Sequence, residues 1–207
     1  MVLDGFLPVY FTSFSVGGNW DMPHDVVAKL LDLEPTSVWK TPERSFRSVC
    51  ASPEDARIRR KNGENLPAFS SWRYELPPKS CIFLEESFRE ILDVFYSKRR
   101  ALNDLLQNEI AWDADIHFAI YLTNFGRDGE VDECGVAPAL GAPADVISQL
   151  AEMQTSFSIL LHSIDKLESY EEGYLIDGWK VNSDAYASNY KEWNVVKKAQ
   201  DDVSGES

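Results

Sequence analysis

The chain has 207 residues, of which 44% are hydrophobic and 26% charged, a composition that is typical of a globular protein and too rich for a disordered one. Lys and Arg number 20 against 34 Asp and Glu, which gives a formal net charge of −14. A field of that sign repels phosphate backbones and anionic lipid, so it argues against general binding to nucleic acid or membrane surfaces and favours a basic partner.

Cysteine usage and the first residues of the chain indicate a reducing compartment. Cys50, Cys81 and Cys134 are an odd number without C-x-x-C spacing, so they fit neither a disulfide framework nor a zinc site. No positive charge precedes Lys29, and Asp4 interrupts the first apolar stretch, which is unlike a signal peptide. No apolar run reaches the roughly 18 residues of a membrane span. We expect a cytoplasmic protein without a metal or cofactor.

The chain begins with a predicted strand and helix. Residues 9–16 are rich in aromatic and β-branched side chains and end at Gly17-Gly18, which is typical of a strand. Pro23 suits the first turn of a helix, which Pro35 then ends. Apolar residues fall on one face of this helix, and we expect all of them to be buried: Val26, Val27, Leu30 and Leu31.

Residues 40–61 are an exception to the acidic character of the chain. They contain seven basic and three acidic residues together with two prolines, and we predict a loop here. The basic run 57–61 could contact nucleic acid, but the negative charge of the rest of the chain cancels its long-range attraction. A solvated loop, or an intramolecular contact with the acidic surface, is the expected role.

The next part of the chain alternates between strand and helix patterns. Apolar spacing of three and four residues predicts helices, and strict alternation predicts strands. The predicted elements are a strand over 69–76, a helix over 84–95, a further helical turn with Leu102, Leu105 and Leu106, a strand over 115–124, a hairpin turn at 126–129 leading into 135–140, a helix from Pro143 with Val146, Ile147, Leu150 and Met153 inward, and a strand over 157–164.

Two segments share the pattern P-x-D-V-[VI]-x-x-L. They are residues 23–30 and 143–150, and each follows a strand-like stretch. One interpretation is convergence, because proline in the first turn and a nearby aspartate suit any helix N-terminus. The other is a pseudo-repeat of two strand–helix halves, as in split βαβ and ferredoxin-like folds.

The tail from residue 165 is acidic and rich in aromatic side chains. It contains ten acidic and five basic residues. Residues 174–181 predict a hairpin, because Asp177-Gly178 separates two β-prone runs. Residues 184–198 predict a helix with Tyr186, Tyr190 and Trp193 on one stripe. An aromatic-rich segment is unlike a free linker, so we expect it to dock on the body of the protein.

Together these elements predict an α+β fold with a mainly antiparallel sheet and helices on one face. The predicted organisation is one domain over residues 1–164 and a C-terminal extension over 165–207, formed by a hairpin and a helix.

The sequence contains no assembled catalytic motif. Phosphate-binding loops, dinucleotide fingerprints, H-E-x-x-H and G-x-S-x-G are all absent. His24 precedes a predicted helix, whereas His117 and His162 lie on two predicted strands. If those strands are neighbours, the two histidines could form a ligand pair with Cys134, although hydrogen-bonded or solvated histidines are the expected reading because no spacing supports metal ligation.

Other polar and aromatic residues are expected to be ordinary surface or core. The two carboxylates of Trp112-Asp113-Ala114-Asp115 and the four of residues 128–133 lack the spacing of a calcium loop, so they indicate solvated charge. Trp39 and Trp72 could form a ligand platform, but large aromatic residues beside a sheet are more often core.

Several of these segments resemble a bacterial family known as domain of unknown function 4279. The resemblance rests on residues 13–18, on Leu30–Thr36 with Trp39, on Ser71-Trp72 and on residues 115–162, and it covers about 8–164. The chain departs from the family's usual Lys-Gly-Glu after the first tryptophan, where it has Lys40-Thr41-Pro42-Glu43. The resemblance implies no established catalytic residues. It implies a small acidic cytosolic protein of the kind suspected to be an immunity partner of bacterial toxins.

We therefore expect an interaction protein that binds and occludes a basic toxin domain, without nucleic acid or membrane as a partner. Complementary charge speeds such an encounter, and buried aromatic side chains anchor it. Two alternatives stay open: an enzyme that uses His117 or His162 with a carboxylate, and a ligand-binding or regulatory domain around Trp39 and Trp72. The residues expected to contact the toxin are Asp128, Glu130, Asp132, Glu133, Glu168, Glu171, Glu172, Tyr186, Tyr190 and Trp193.

Overall fold

A computed structural model describes residues 5–6, 9–80, 83–123, 141–164, 168–170, 173–176, 179–187 and 190–198, and the side chains of 10–78, 83–120 and 141–162. The elements in chain order are β1 (Gly5–Phe6), β2 (Val9–Gly18), α1 (His24–Leu31), β3 (Ser37–Lys40), α2 (Glu43–Arg47), α3 (Pro53–Lys61), β4 (Ser70–Glu75), β5 (Lys79–Ser80), α4 (Leu84–Phe95), a short 3-10 helix (Tyr96–Lys98), α5 (Arg99–Gln107), β6 (Asp113–Thr123), α6 (Ala144–Glu152), β7 (Ser156–Ile164), β8 (Glu168–Tyr170), β9 (Gly173–Ile176), β10 (Trp179–Ala187) and β11 (Tyr190–Lys198).

A mixed, mostly antiparallel sheet organises the molecule. Its strands lie in the order β3-β4-β2-β6-β7, and the short β5 also pairs with β2. Within this sheet, as far as it is described, β6 and β7 are parallel neighbours with α6 between them in the chain, while the other adjacent pairs are antiparallel. The predicted α+β fold is confirmed.

The two segments with the shared P-x-D-V pattern both become crossover helices between parallel strands. In the first unit β4 lies between β2 and β3, which is a split arrangement, whereas β6 and β7 are adjacent in the second. The buried positions also differ: α1 buries Val27 and Leu31, while α6 buries Val146 and Leu150, one position earlier in the pattern. Leu30 and Ile147, expected inside, are 44% exposed. The shared pattern therefore does not correspond to a residue-by-residue repeat.

The main core lies between the sheet and one layer of helices. The strict alternation predicted for β6 is confirmed, since Ile116, Phe118 and Ile120 have no exposed surface. Phe14 of β2 stacks on Phe95 of α4 with ring centroids 3.9 Å apart, and this pair marks the centre of the core. The helices contribute their apolar stripes to the same cluster: Val27, Leu31, Leu84, Phe88, Ile91, Leu92, Phe95, Leu102, Leu105, Val146 and Leu150.

The prediction of a loop over residues 40–61 is wrong. The segment holds the last residue of β3 and the helices α2 and α3, which enclose a second apolar cluster: Phe46, Cys50, Ala56, Leu66 and Phe69. Both prolines precede or open these helices, where the missing N–H is no loss. Ser52 caps α3 by accepting a hydrogen bond from Asp55 N at 3.1 Å. Three of the four basic residues of α3, Arg59, Arg60 and Lys61, occupy its last turn, where the helix dipole favours them.

The prediction of a helix over residues 184–198 is also wrong. These residues belong to β10 and β11, which pair with each other so that Ala187 lies opposite Tyr190. Tyr186, Tyr190 and Trp193 fall at helical spacing, but aromatic and β-branched residues favour strands, and in this segment the strand preference prevails. The predicted hairpin is confirmed, because β9 pairs with β10 across Ile176 and Trp179.

The tail strands form a second sheet with the start of the chain. Its order is β1-β11-β10-β9-β8, and β1 runs parallel to β11. Within the described residues, none of the helices has both the length and the apolar character required to traverse a lipid bilayer. The predicted hairpin at 126–140 lies outside the described residues.

Candidate functional site

The face of the central sheet opposite the helices carries mainly polar side chains. Residues paired across neighbouring strands project to the same side of a sheet, so the strand register groups them into rows. Most of these side chains are exposed or half-buried, and Ser13 at the centre is buried. We call these rows the open face: Glu75–Ser13–His117–Ser158, Arg73–Ser15–Asp115–Ser156 and Ser71–Gly17–Asp113.

Four side chains of β6 and β7 form a hydrogen-bonded chain on the open face. The Ser158 hydroxyl donates to Asp115 Oδ2 at 2.9 Å, and its oxygen lies 2.9 Å from His117 Nδ1. Ser156 donates to the other oxygen, Asp115 Oδ1, also at 2.9 Å. Because β6 and β7 are parallel and in register, each serine of β7 lies beside its β6 partner, and the carboxylate spans the two rows. We call these four residues the Asp115 cluster.

The environment of His117 favours its neutral form. Its pKa is lowered first by burial and then by the positive charge of Arg73, while Asp115 acts in the opposite direction and His162 adds a further lowering. Arg73 itself makes an ion pair with Glu75, with 3.8 Å between Nη1 and Oε1. The imidazole therefore acts as a neutral hydrogen-bonding group near neutral pH.

Asp113 lies at the end of the open face, against the backbone of β2. Its carboxylate occupies the space over Gly17, where a Cβ would collide with Oδ1. Asp113 is exposed as a residue, but this packing removes water from the carboxylate and raises its pKa, with Arg60 opposing and Asp115 reinforcing the shift. Gly17 is thus required by a close approach and not by an unusual backbone angle.

Arg60 fixes the loop beside this carboxylate. Its guanidinium lies over the Trp112 ring, 4.7 Å from the centroid, and donates to the carbonyl oxygens of Leu66 and Trp112 at 3.1 Å each. The expectation that the basic segment makes intramolecular contacts agrees with this arrangement, although the segment is helical. Arg57 likewise pairs with Asp21 at 2.7 Å.

Two hollows adjoin each other beside Trp112. One has a volume of about 340 Å³ and lies at the start of β6 and β7, where it meets the open face at Asp113 and Ser156. Its other walls are Leu106, Gln107, Trp112, Ala114 and Gln154. The second, of about 190 Å³, is lined by Arg57, Arg60, Lys61, Leu106, Glu109, Ala111 and Trp112. The first is at the small end of the range for small-molecule sites.

Large apolar side chains stand at both edges of the open face. Trp39 of β3 pairs with Ser71 and is 54% exposed, and Leu160 of β7 pairs with Ala119 and is 49% exposed. The expectation that Trp39 is core is wrong, because β3 is the edge strand of the sheet. Trp72 is fully buried on the opposite face, so the two tryptophans do not form one ligand platform.

The two strand histidines both lie on the open face. His117 lies opposite Ser158, and His162 is four residues further along β7, roughly 13 Å at the usual rise of a strand. Cys134 lies outside the described residues. Among the side chains that the structure describes, no three His, Cys, Asp or Glu come together as a metal site. His24 Nε2 instead shares a 2.7 Å hydrogen bond with Ser70 Oγ.

All ten predicted toxin-contacting residues lie outside the described side chains. Glu168 lies in β8, Tyr186 in β10, and Tyr190 and Trp193 in β11, whereas Asp128, Glu130, Asp132, Glu133, Glu171 and Glu172 lie outside the described residues. Sequence reasoning missed Ser156 and Ser158. The signal that could have found them is their alternation with Phe157 on a strand, which places both hydroxyls on one face.

Comparison with known proteins identifies one family. The model described as Domain of unknown function (DUF4279) matches residues 8–163, which confirms the resemblance inferred from the sequence. None of the curated proteins and none of the solved structures matches the chain.

Proposed function

The chain belongs to the domain of unknown function 4279 family, and from that premise we propose that it is a cytoplasmic immunity protein that binds and occludes a basic bacterial toxin domain. The observation that carries the proposal is the open face: a polar sheet surface that no helix among the described residues covers, bordered by exposed Trp39 and Leu160. Protein interfaces combine these parts, with aromatic anchors and a polar, hydrogen-bonding surround.

The charge of the chain supports a basic partner. A formal net charge of −14 attracts a cationic protein over distances of about 10 Å at moderate salt. On the open face, Asp115 and Asp113 present carboxylates at alternate positions of β6, and His117 is held neutral beside them. Such complementarity raises the association rate and selects against acidic partners more than it raises affinity. Inhibition would follow from occlusion of the toxin's own site.

The test is a binding and protection experiment with a candidate toxin domain that is encoded next to the gene for this chain. Cells that express the toxin domain should survive when the chain is co-expressed, and the association rate should fall steeply between about 20 and 300 mM salt. Trp39→Ala should weaken the complex. Ile58→Ala, which truncates a side chain of similar exposure on α3, is the matched control. Unprotected cells together with an association rate indifferent to salt would refute the proposal.

A second candidate, an enzyme, is favoured by one observation. The Asp115 cluster orients His117 through its Nδ1, which is how a supporting group positions a general base. The cluster lies on an exposed sheet and not in an enclosed pocket, so occlusion of a partner remains the better-supported function. An activity that disappears in His117→Ala with the fold intact would reverse this order.

A further inference from the structure

The hydrogen bonds of the Asp115 cluster determine which atoms remain for a ligand. A serine hydroxyl has one proton, and that of Ser158 goes to Asp115 Oδ2. The Ser158 oxygen can then only accept from His117 at 2.9 Å, so the proton of the neutral ring is on Nδ1. His117 Nε2 is therefore an unprotonated acceptor.

The carboxylate of Asp115 is also left with acceptor capacity. Each oxygen takes one serine hydroxyl, which leaves a further lone pair on each. Within the part of the chain that the structure describes, no cation forms an ion pair with Asp115, since Arg73 is engaged by Glu75. The cluster thus offers only acceptors, with one uncompensated negative charge.

We propose that the Asp115 cluster receives the guanidinium group of an arginine side chain on the basic partner; this inference rests on the function proposed above. A guanidinium is planar and carries five N–H donors and no acceptor, so it complements a carboxylate and an imidazole nitrogen side by side. A lysine ammonium would satisfy the charge without the planar match. A metal ion finds only Asp115 and His117 as ligands in the cluster.

The adjoining hollow provides room for the stem of that arginine. It has a volume of about 340 Å³ and meets the cluster at Ser156. Leu106, Trp112 and Ala114 give it apolar walls, against which the methylene groups of an arginine can pack while its charged head reaches the carboxylates. Asp113, at the same rim, adds a second carboxylate.

The test is an NMR titration of the full chain with an arginine peptide, acetyl-Gly-Arg-Gly-amide. The ring signals of His117 should shift saturably, and the neutral citrulline peptide should leave them unchanged. Asp115→Asn should weaken binding about tenfold, the loss of one strong charge-assisted contact. Asp93→Asn removes an equal charge from an exposed position of α4 and should leave the affinity unchanged.

The pH dependence of peptide binding provides a second measurement. Protonation of His117 turns Nε2 into a donor and adds positive charge, so affinity for the peptide should fall as the pH drops through the lowered pKa of this ring. The groups that act on this ring are Asp115 on its own strand, Arg73 of β4 and His162 of β7, while β2 contributes the uncharged Ser13. His117→Gln should remove most of this pH dependence.

The outcomes separate the two proposals. If poly-L-arginine binds the chain but the peptide leaves the His117 signals unshifted, the assigned site is wrong, while the proposal of a basic partner stands. The same conclusion follows if Asp93→Asn and Asp115→Asn weaken binding equally. If neither the peptide nor poly-L-arginine binds, both proposals fail. Equal shifts with acetyl-Gly-Lys-Gly-amide would overturn the choice of arginine.

Discussion

Substitution of Gly17 by alanine tests the close packing between β2 and β6. The new Cβ would collide with Asp113 Oδ1 and would lie 2.9 Å from the Cβ of Ala68. The carboxylate can rotate away, but it then loses its hydrogen bond from the Gly17 backbone. The Cβ of Ala68 has no rotamer to change, so it can move away only if the backbone moves with it. Overpacking costs about 1–3 kcal/mol and the loss of a hydrogen bond to a charged group about 1.5–3 kcal/mol. We expect Gly17→Ala to reduce the free energy of unfolding by about 3 kcal/mol.

Urea unfolding of four variants provides the assay. Gly141→Ala is the control, because no atom of the described residues lies within 4 Å of its added Cβ, so we expect the substitution to act mainly on the unfolded chain. In an Asp113→Ala background the carboxylate is gone, so about half of the cost of Gly17→Ala should disappear. Equal stabilities for the Gly17→Ala and Gly141→Ala proteins would refute the reasoning, as would an undiminished cost in the Asp113→Ala background.

Three further predictions use the same unfolding measurement. Trp72→Ala should cost about 3–5 kcal/mol and Trp39→Ala less than about 0.5 kcal/mol, and similar losses would contradict their opposite burial. Burial, and then Lys40, lower the pKa of His24. The contribution of His24 to the free energy of unfolding is therefore complete above about pH 6.5, the usual pKa of histidine, and is lost as the pH falls through its folded-state pKa. His24→Gln should flatten that decline in stability. Arg60→Ala should reduce the free energy of unfolding by about 2 kcal/mol. If Arg60→Lys has the stability of the original chain, the guanidinium's two hydrogen bonds to carbonyl oxygens have no stabilising role.

The main core could be predicted because its signals are local. Alternation over β6 and the three- and four-residue spacing over α4 each report a single periodicity, and both elements form where expected. The prediction of a loop over residues 40–61 was wrong because proline is common both in loops and in the first turn of helices. The prediction of a helix over residues 184–198 was wrong because the aromatic residues of these two strands happen to fall at helical spacing.

The Asp115 cluster could not be predicted, because it depends on register. Ser156 and Ser158 are 41 and 43 residues from Asp115, and only the parallel pairing of β6 with β7 brings them together. No local pattern encodes that alignment. Trp39 illustrates the same gap: its type suggests core, and only the strand order shows that β3 is at an edge.

Because the second apolar cluster is separate from the main core, we expect the segment around it to unfold locally as a cooperative unit. Residues 42–69 pack chiefly around Phe46 and Phe69, apart from the stack of Phe14 on Phe95. A lobe with a separate apolar centre can unfold transiently while the sheet stays closed. Cys50 is buried in that lobe and its pKa is raised by desolvation, so we expect it to react with a thiol reagent only when the lobe opens. The labelling rate of this one sulfur therefore reports the free energy of a partial unfolding that global denaturation conceals.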